Sequence, residues 1–389
     1  MTERLYYHDS YLTRFRARVV DASPDLTRVY LDRTAFYPTS GGQPFDTGTL
    51  GGAAVTDVID EGERIAHVTA SPVTEVEVEG VVDQARRLDH MSQHTGQHLL
   101  SAVFIQLLDA PTVSFHLGAE TCTIDIQRDG LTADDIRAVE KRANELVLEN
   151  RPVTVEFRDA AADLSLRKPA ERSGELRIVS IAGLDRSACG GTHVRFTGEI
   201  GPILIRKLDR IRGTVRVEFV CGLRAVLRAR GDFDALSAVS RALSCPLDDA
   251  PLLVGAQQER LQSAEKARTR LAGELARTEG RELWRDTPPR PSGRRIASRR
   301  VPAFTDEIRA LALSFAAGQA ACFMAIAGDP PGILLTTSAD SGIHAGNLLR
   351  AALAKHGGRG GGNAALAQGT VPSKEELENV RADLDKELE

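Results

Sequence analysis

The chain has 389 residues, 42% hydrophobic and 26% charged, with 49 basic and 54 acidic side chains for a net charge of −5. That length fits two or three domains of about 100–200 residues each, and no apolar run reaches the ~18–20 residues that a bilayer span needs. The charged start lacks the apolar core of a secretory signal, and five scattered cysteines are too few for a disulfide scaffold, so a reducing, cytoplasmic setting is expected.

Short β-like runs come first, at residues 13–21, 26–32, 55–59, 65–69 and 73–82. They are separated by Gly, Pro and Asp, as in a small barrel or sandwich. Between them lies the turn-rich stretch Phe36-Tyr-Pro-Thr-Ser-Gly-Gly-Gln-Pro44. The pattern changes near residue 85. Residues 86–108 predict a helix, and 113–117 and 122–126 a strand pair. Thr132 offers an N-cap for a helix with Ile136, Val139, Ala143, Leu146 and Val147 on one face, and residues 153–157 another strand. Strand-like runs at 203–208 and 215–220 precede a helical stretch over 224–284. A Pro/Gly-rich linker covers 286–295. The last part alternates as strands at 320–327 and 333–337, then predicts a helix over 344–356, a glycine cluster at 357–362 and a charged helix over 373–389. The layout is α+β.

Nine histidines occur, and five of them lie between His90 and His193. His94-Thr-Gly-Gln-His98 sits in the predicted helix, where a spacing of four puts both imidazoles on one face. Cys189-Gly-Gly-Thr-His193 offers a thiolate and an imidazole from a glycine-rich turn. Together they form a candidate His₃Cys set, whose borderline-soft donors suit Zn²⁺. Thr95 follows His94 directly, where a zinc protease of the HExxH type carries glutamate, so a protease is disfavoured.

The segments containing HTGQHLLSAVF and ACGGTHV resemble the zinc motifs of the alanyl-tRNA synthetase editing domain and its freestanding relatives, the AlaX family. Three further stretches agree in order. The run from Asp32 to Gln43 resembles the family's barrel motif, Gly198-Glu-Ile-Gly201 the segment after its second zinc motif, and residues 357–369 the glycine-rich signature of its C-terminal, DHHA1-like domain. The resemblance implies the long, trans-acting form. It divides the chain into an N-terminal β-barrel (1–85), a zinc-dependent α+β editing domain (86–225), a helical spacer and linker (226–295) and an α/β glycine-rich DHHA1-like domain (296–389).

The implied activity is hydrolysis of mischarged tRNA(Ala), chiefly seryl- and also glycyl-tRNA(Ala), with Zn²⁺ held by His94, His98, Cys189 and His193, which are also the catalytic centre. A deacylase for another mischarged tRNA, such as seryl-tRNA(Thr), and a non-catalytic tRNA-binding module are the alternatives. To tell serine from alanine, a pocket group must hydrogen-bond the serine hydroxyl. Ser114 and His116 are the candidates on the strand after the zinc helix, facing the site with Phe115 opposite, and Gln97 and Thr192 are candidates beside the ligands. Gly41-Gly42-Gln43 reads as a tight turn; its likeness to the triplet of peptide release factors is taken as accidental. Gly357, Gly358, Arg359, Gly360, Gly361 and Gly362 are candidates for contacting tRNA phosphates through backbone N–H groups. The long helices are compatible with a homodimer through the spacer or the C-terminal domain, and no membrane partner is expected.

Net charge is a poor guide to the partner. Residues 203–230 hold eight basic and two acidic side chains, and 281–300 hold seven arginines and two acids. Of the 49 basic residues, 42 are arginine, the side chain suited to bidentate phosphate contacts.

Overall fold

A computed structural model of the chain describes residues 1–160, 166–168 and 174–389. Six of its strands close into an antiparallel barrel: β1 (Arg14–Ala22), β2 (Arg28–Leu31), β3 (Gly48–Leu50), β4 (Ala53–Asp60), β5 (Ile65–Thr69) and β6 (Glu77–Val82), in the order β1-β2-β5-β4-β3-β6. Alternation along β1 explains the closure. Phe15 and Ala17 point inward while Arg14, Arg16 and Arg18 stay in solvent. Val29, Leu31, Phe36, Leu50, Val58 and Ile65 complete the barrel core.

Helix α1 (Gln84–Leu108) leaves the last barrel strand, capped by the Asp83 side chain, which accepts the Arg86 N–H. Arg87 in its first turn is fully buried and pairs with the buried Asp46 of the barrel. Its guanidinium also donates to Ser10 O at 2.7 Å and Ala35 O at 2.6 Å, so α1 is pinned to the barrel. Beyond α1 come β7 (Thr112–Leu117), β8 (Cys122–Ile126), α2 (Ala133–Leu148), β9 (Val153–Asp159), β10 (Glu175–Ile181), β11 (Asp185–Ala188), β12 (Ile203–Ile211) and β13 (Thr214–Cys221). They form a sheet of order β12-β13-β8-β7 and, among the described residues, a second of order β9-β10-β11. The apolar faces of α1, α2 and the first sheet share one core around Leu99, Leu100, Val103, Phe104, Ile124, Val139, Leu146 and Phe219.

The helical stretch predicted over 224–284 consists of two helices, α3 (Gly222–Leu243) and α4 (Ala250–Asp286). The break falls where Ser244 takes a left-handed backbone (φ 52°) and Pro246 follows. The chain divides into two compact units, Met1–Val239 and Ser240–Glu389. In the second unit α4 packs on α5 (Asp306–Ala316). The sheet of this unit comprises β14 (Arg295–Val301), β15 (Ala321–Gly328), β16 (Pro331–Thr337), β17 (Arg359–Gly362) and β18 (Leu366–Thr370), in the order β14-β15-β16-β18-β17. α6 (Ala345–Lys355) and α7 (Lys374–Leu388) bury Leu349, Leu353, Leu377 and Leu384 against it. The Pro/Gly-rich segment lies between α4 and β14, and most of the glycine cluster, for which no element was predicted, is the edge strand β17. Close packing explains its glycines: a Cβ on Gly360 would lie 2.5 Å from Gly369 Cα of β18 and 2.7 Å from Leu353 Cδ1 of α6. No described helix is long and apolar enough to cross a membrane.

Candidate metal centre

The middle of α1 is buried on all sides, and His94 and His98 are 3% and 4% exposed. The loop after β11 brings Cys189 and His193 against them. Cys189 Sγ lies 3.4 Å from His94 Nε2 and 3.3 Å from His193 Nε2, and the four candidate ligand atoms all fall within 4.8 Å of one another. Tetrahedral Zn²⁺, with bonds of about 2.0–2.3 Å, needs ligand atoms on the order of 3–4 Å apart. The donor set and its spacing therefore fit the ion.

Glycine makes the approach of the two segments feasible. A Cβ on Gly191 would sit 2.2 Å from His94 Cε1 and 3.0 Å from Gln43 Oε1, so only glycine lets this loop lie on the His94 ring. Arg177 on β10 holds the loop from behind. It is 7% exposed, and its Nη1 donates to Cys189 O at 2.7 Å and Gly191 O at 2.9 Å.

Each imidazole has its own partner at Nδ1. His94 meets Gln43 Oε1 at 2.8 Å, His98 meets Asp185 Oδ2 at 3.0 Å, and His193 meets Thr95 Oγ1 at 3.1 Å. With Nδ1 so engaged, each Nε2 is the atom directed to the centre. Asp185 is itself fixed by Arg167 Nε at 2.7 Å and by Ser187. Gln43 is fully buried, and its Nε2 donates to Thr192 Oγ1 at 2.9 Å. The turn carrying it uses two left-handed glycines, Gly41 (φ 55°) and Gly42 (φ 84°).

The electrostatics follow from burial and from these contacts. Burial opposes ionisation of Cys189, but the His94 and His193 rings outweigh it and hold the thiol well below its usual range. Burial likewise opposes a charged His98, yet the Asp185 carboxylate pushes its pKa up to about 9. His193, whose partner is a hydroxyl, is driven down by burial to about 3. The pocket thus favours a thiolate.

Ser114 and His116 stand elsewhere. Phe115 is the residue of β7 that faces the centre, stacking on His94 with ring centroids 5.3 Å apart at 30°. Alternation then turns Ser114 and His116 outward, and both are exposed, which reverses the expected facing. Ser114 belongs to a polar row across the sheet: its Oγ donates to Asp125 Oδ2 at 2.6 Å, and Arg216 donates to both Asp125 oxygens. Gln97 is buried and donates to Ser101 Oγ at 2.8 Å, and Thr192 is tied to Gln43. Sequence reasoning missed Thr95, Phe115, Arg177 and Asp185. Gln43 stood in a motif already singled out, but its side chain was given no role.

Comparison with known proteins agrees with this geometry. Residues 176–218 match the family described as threonyl and alanyl tRNA synthetase second additional domain, and 301–389 match the DHHA1 domain. The chain is 30% identical to the alanyl-tRNA editing protein AlaX-L of Pyrococcus horikoshii, over 99% of this chain and 100% of that protein. It is 32% identical to the alanine--tRNA ligase of Methanoregula boonei, over 97% of this chain but 42% of the ligase. The ligase of Korarchaeum cryptofilum is also 32% identical, over 100% of this chain and 45% of its own length. The chain thus spans less than half the length of these ligases and the whole of AlaX-L. It belongs to the family of alanyl-tRNA editing proteins of the AlaX-L type.

Proposed function

We propose that this chain is a zinc-dependent deacylase of mischarged tRNA(Ala), acting chiefly on seryl- and also on glycyl-tRNA(Ala). The observation that carries the reading is the convergence of His94, His98, Cys189 and His193, each imidazole oriented by a buried partner, in a chain that aligns end to end with AlaX-L. A zinc ion bound there supplies Lewis acidity, polarising the 3′ ester end or a water whose pKa it can bring to ~7. The chain's own residues do the rest. Cys189 is the least buried of the four candidate ligands, so the approach for an acylated 3′ end runs past it. Phe115 walls one side of His94 against solvent.

Serine is separated from alanine by a polar group left unpaired when the hydroxyl is missing. Thr192 keeps that role in the proposal through Gln43, the partner of His94, and Gln97 keeps it as a buried neighbour of His98 in sequence whose amide donates to Ser101. Ser114 and His116 leave it. The edge strand β17 supports phosphate contact by residues 357–362, because an edge leaves one row of backbone groups outside its ladder.

The test is to incubate the chain with Ser-, Gly- and Ala-charged tRNA(Ala) and with Ser-charged tRNA(Thr), with and without a chelator. Seryl-tRNA(Ala) is hydrolysed, alanyl-tRNA(Ala) is spared, and both the chelator and His94→Ala abolish turnover. Preference for seryl-tRNA(Thr) would reassign the substrate. Binding without hydrolysis of any of the four would reduce the chain to a tRNA-binding module.

A further inference from the structure

Residues 7–10 lie on the second sheet beside the metal centre. The register of that sheet sets Phe157 of β9 opposite Arg177 of β10. The ladder runs on past β11 to Cys189, whose N–H donates to Arg177 O at 3.0 Å. Directly opposed residues share a face, so Phe157, Arg177 and Cys189 form one row across the sheet. Phe157 stands two strand spacings from Cys189, about 10 Å.

The start of the chain is anchored over this row. Arg177 Nε donates to Tyr7 O at 3.1 Å, and the Arg177 guanidinium lies 5.5 Å from the Tyr7 ring centroid. The Tyr7 side chain borders Gly190, where a Cβ would sit 3.5 Å from Tyr7 Oη. Ser10 ties down the other end: its Oγ accepts the His193 N–H at 3.4 Å, and its carbonyl accepts from Arg87. His8 lies between these anchors. Its ring stacks on Phe157, with centroids 5.2 Å apart at 38°. Phe157 is half-buried and His8 is exposed. Among the described residues, the His8 imidazole has no hydrogen-bond or ion-pair partner. A fixed, exposed ring with a second ring beneath it offers a π-face, which is what the unstacked base at a single-stranded RNA end takes up.

We propose that His8, backed by Phe157, is the stacking platform for the terminal adenine of the acylated tRNA. The separation along the row is the reach of one nucleoside from its 3′ ester to the far edge of its base. A base on His8 therefore lays the ester toward Cys189, with the Tyr7 ring and the bare Gly190 along the way. The inference rests on the deacylase reading and deepens it, by giving the site residues that place the nucleoside. The base takes no part in the reaction, so the platform holds substrate and transition state alike. Its loss then shows in KM more than in kcat.

Two small esters test this on the full chain: 3′-O-seryl-adenosine, and the seryl ester of the same ribose without its base. The wild-type chain is expected to prefer the adenosine ester in kcat/KM by about 5–150-fold, the worth of one base–aromatic stack. In His8→Ala that preference collapses toward unity, through KM. His8→Tyr restores it, because the role needs an aromatic face and not an imidazole. Phe157→Leu keeps apolar cover on β9 and loses part of the preference. A wild-type chain that hydrolyses both esters equally, or a His8→Ala chain that keeps the full preference, overturns the proposal and leaves the deacylase reading standing. If the small esters turn over too slowly to compare, seryl-tRNA(Ala) replaces them, and an unchanged KM in His8→Ala overturns the proposal. A wild-type chain that hydrolyses neither the esters nor seryl-tRNA(Ala) overturns the deacylase reading itself, and this proposal with it.

Discussion

Met1–Val239 buries Arg87, Asp46, Gln43, His67, His90, Gln93, Arg177 and Asp185 along with the three candidate histidine ligands. Among the described residues, the side chains that Ser240–Glu389 buries in the polar class are Ser240, Thr336, Thr337, Ser338 and Ser341. Those hydroxyls serve backbone carbonyls: Thr336 donates to Ala312 O at 2.9 Å, Thr337 to Ala364 O at 2.9 Å, and Ser341 to Ser338 O at 2.6 Å. The first unit thus carries ionic and amide groups in its interior, each needing a partner from a distant segment. The second holds together by apolar packing and neutral hydroxyl bonds to backbone. A buried charge is costly unless paired, so it is retained where it positions something. The difference is in keeping with the proposed chemistry lying in the first unit.

Three measurements sharpen or break that contrast. The largest effect belongs to Arg87→Leu, which leaves the Asp46 carboxylate buried and unpaired. Urea unfolding should show a loss of about 3–5 kcal/mol, as for other broken buried ion pairs. A change below 1 kcal/mol would mean that the pair is incidental.

Next comes His67, enclosed in the barrel between Thr34 Oγ1 at 2.8 Å and Val29 O at 3.2 Å. Burial lowers its pKa from 6.5 to about 4. The folded chain therefore holds the ring neutral where the unfolded chain takes up a proton. Its contribution is fully present above pH 6.5 and is lost as the pH falls toward about 4, on the order of 3 kcal/mol in all. His67→Gln should flatten the fall in stability across that window, and an unaltered pH slope would exclude His67 as its source.

The smallest effect is expected in the second unit. Thr336→Val removes one hydroxyl bond to backbone and should cost about 1 kcal/mol. A loss matching that of Arg87→Leu would erase the distinction between the units.

The candidate ligands were legible in the sequence because each pair is local: four residues apart on a helix, and four apart around two glycines. Their orienting partners were not. Gln43 lies 51 residues from His94, and Asp185 lies 87 from His98. No short-range pattern announces such pairs. On β7, alternation gave the correct grouping, with Ser114 and His116 on one face and Phe115 on the other. It carries no sign, however, and the inward face is set by how the strand packs on α1. Five of the six barrel strands were readable from their spacing, whereas β3, β10, β11, β14, β18 and α5 were not marked out. The glycines of β17 carried no strand signal because composition does not distinguish conformational freedom from tight packing.

The separation of the candidate ligands along the chain also orders their assembly. Cys189 and His94 are 95 positions apart, and the partners at Gln43 and Asp185 come from the barrel and from β11. A nascent chain that has reached α2 already contains Gln43 and both histidines of α1, but neither a thiolate at position 189 nor the carboxylate that orients His98. The complete cluster is available only after residue 193 has been synthesised and its loop has settled on α1. Loading of the proposed metal would therefore be a late step in maturation, and a product truncated between α2 and β11 carries half the candidate donor set without the other half.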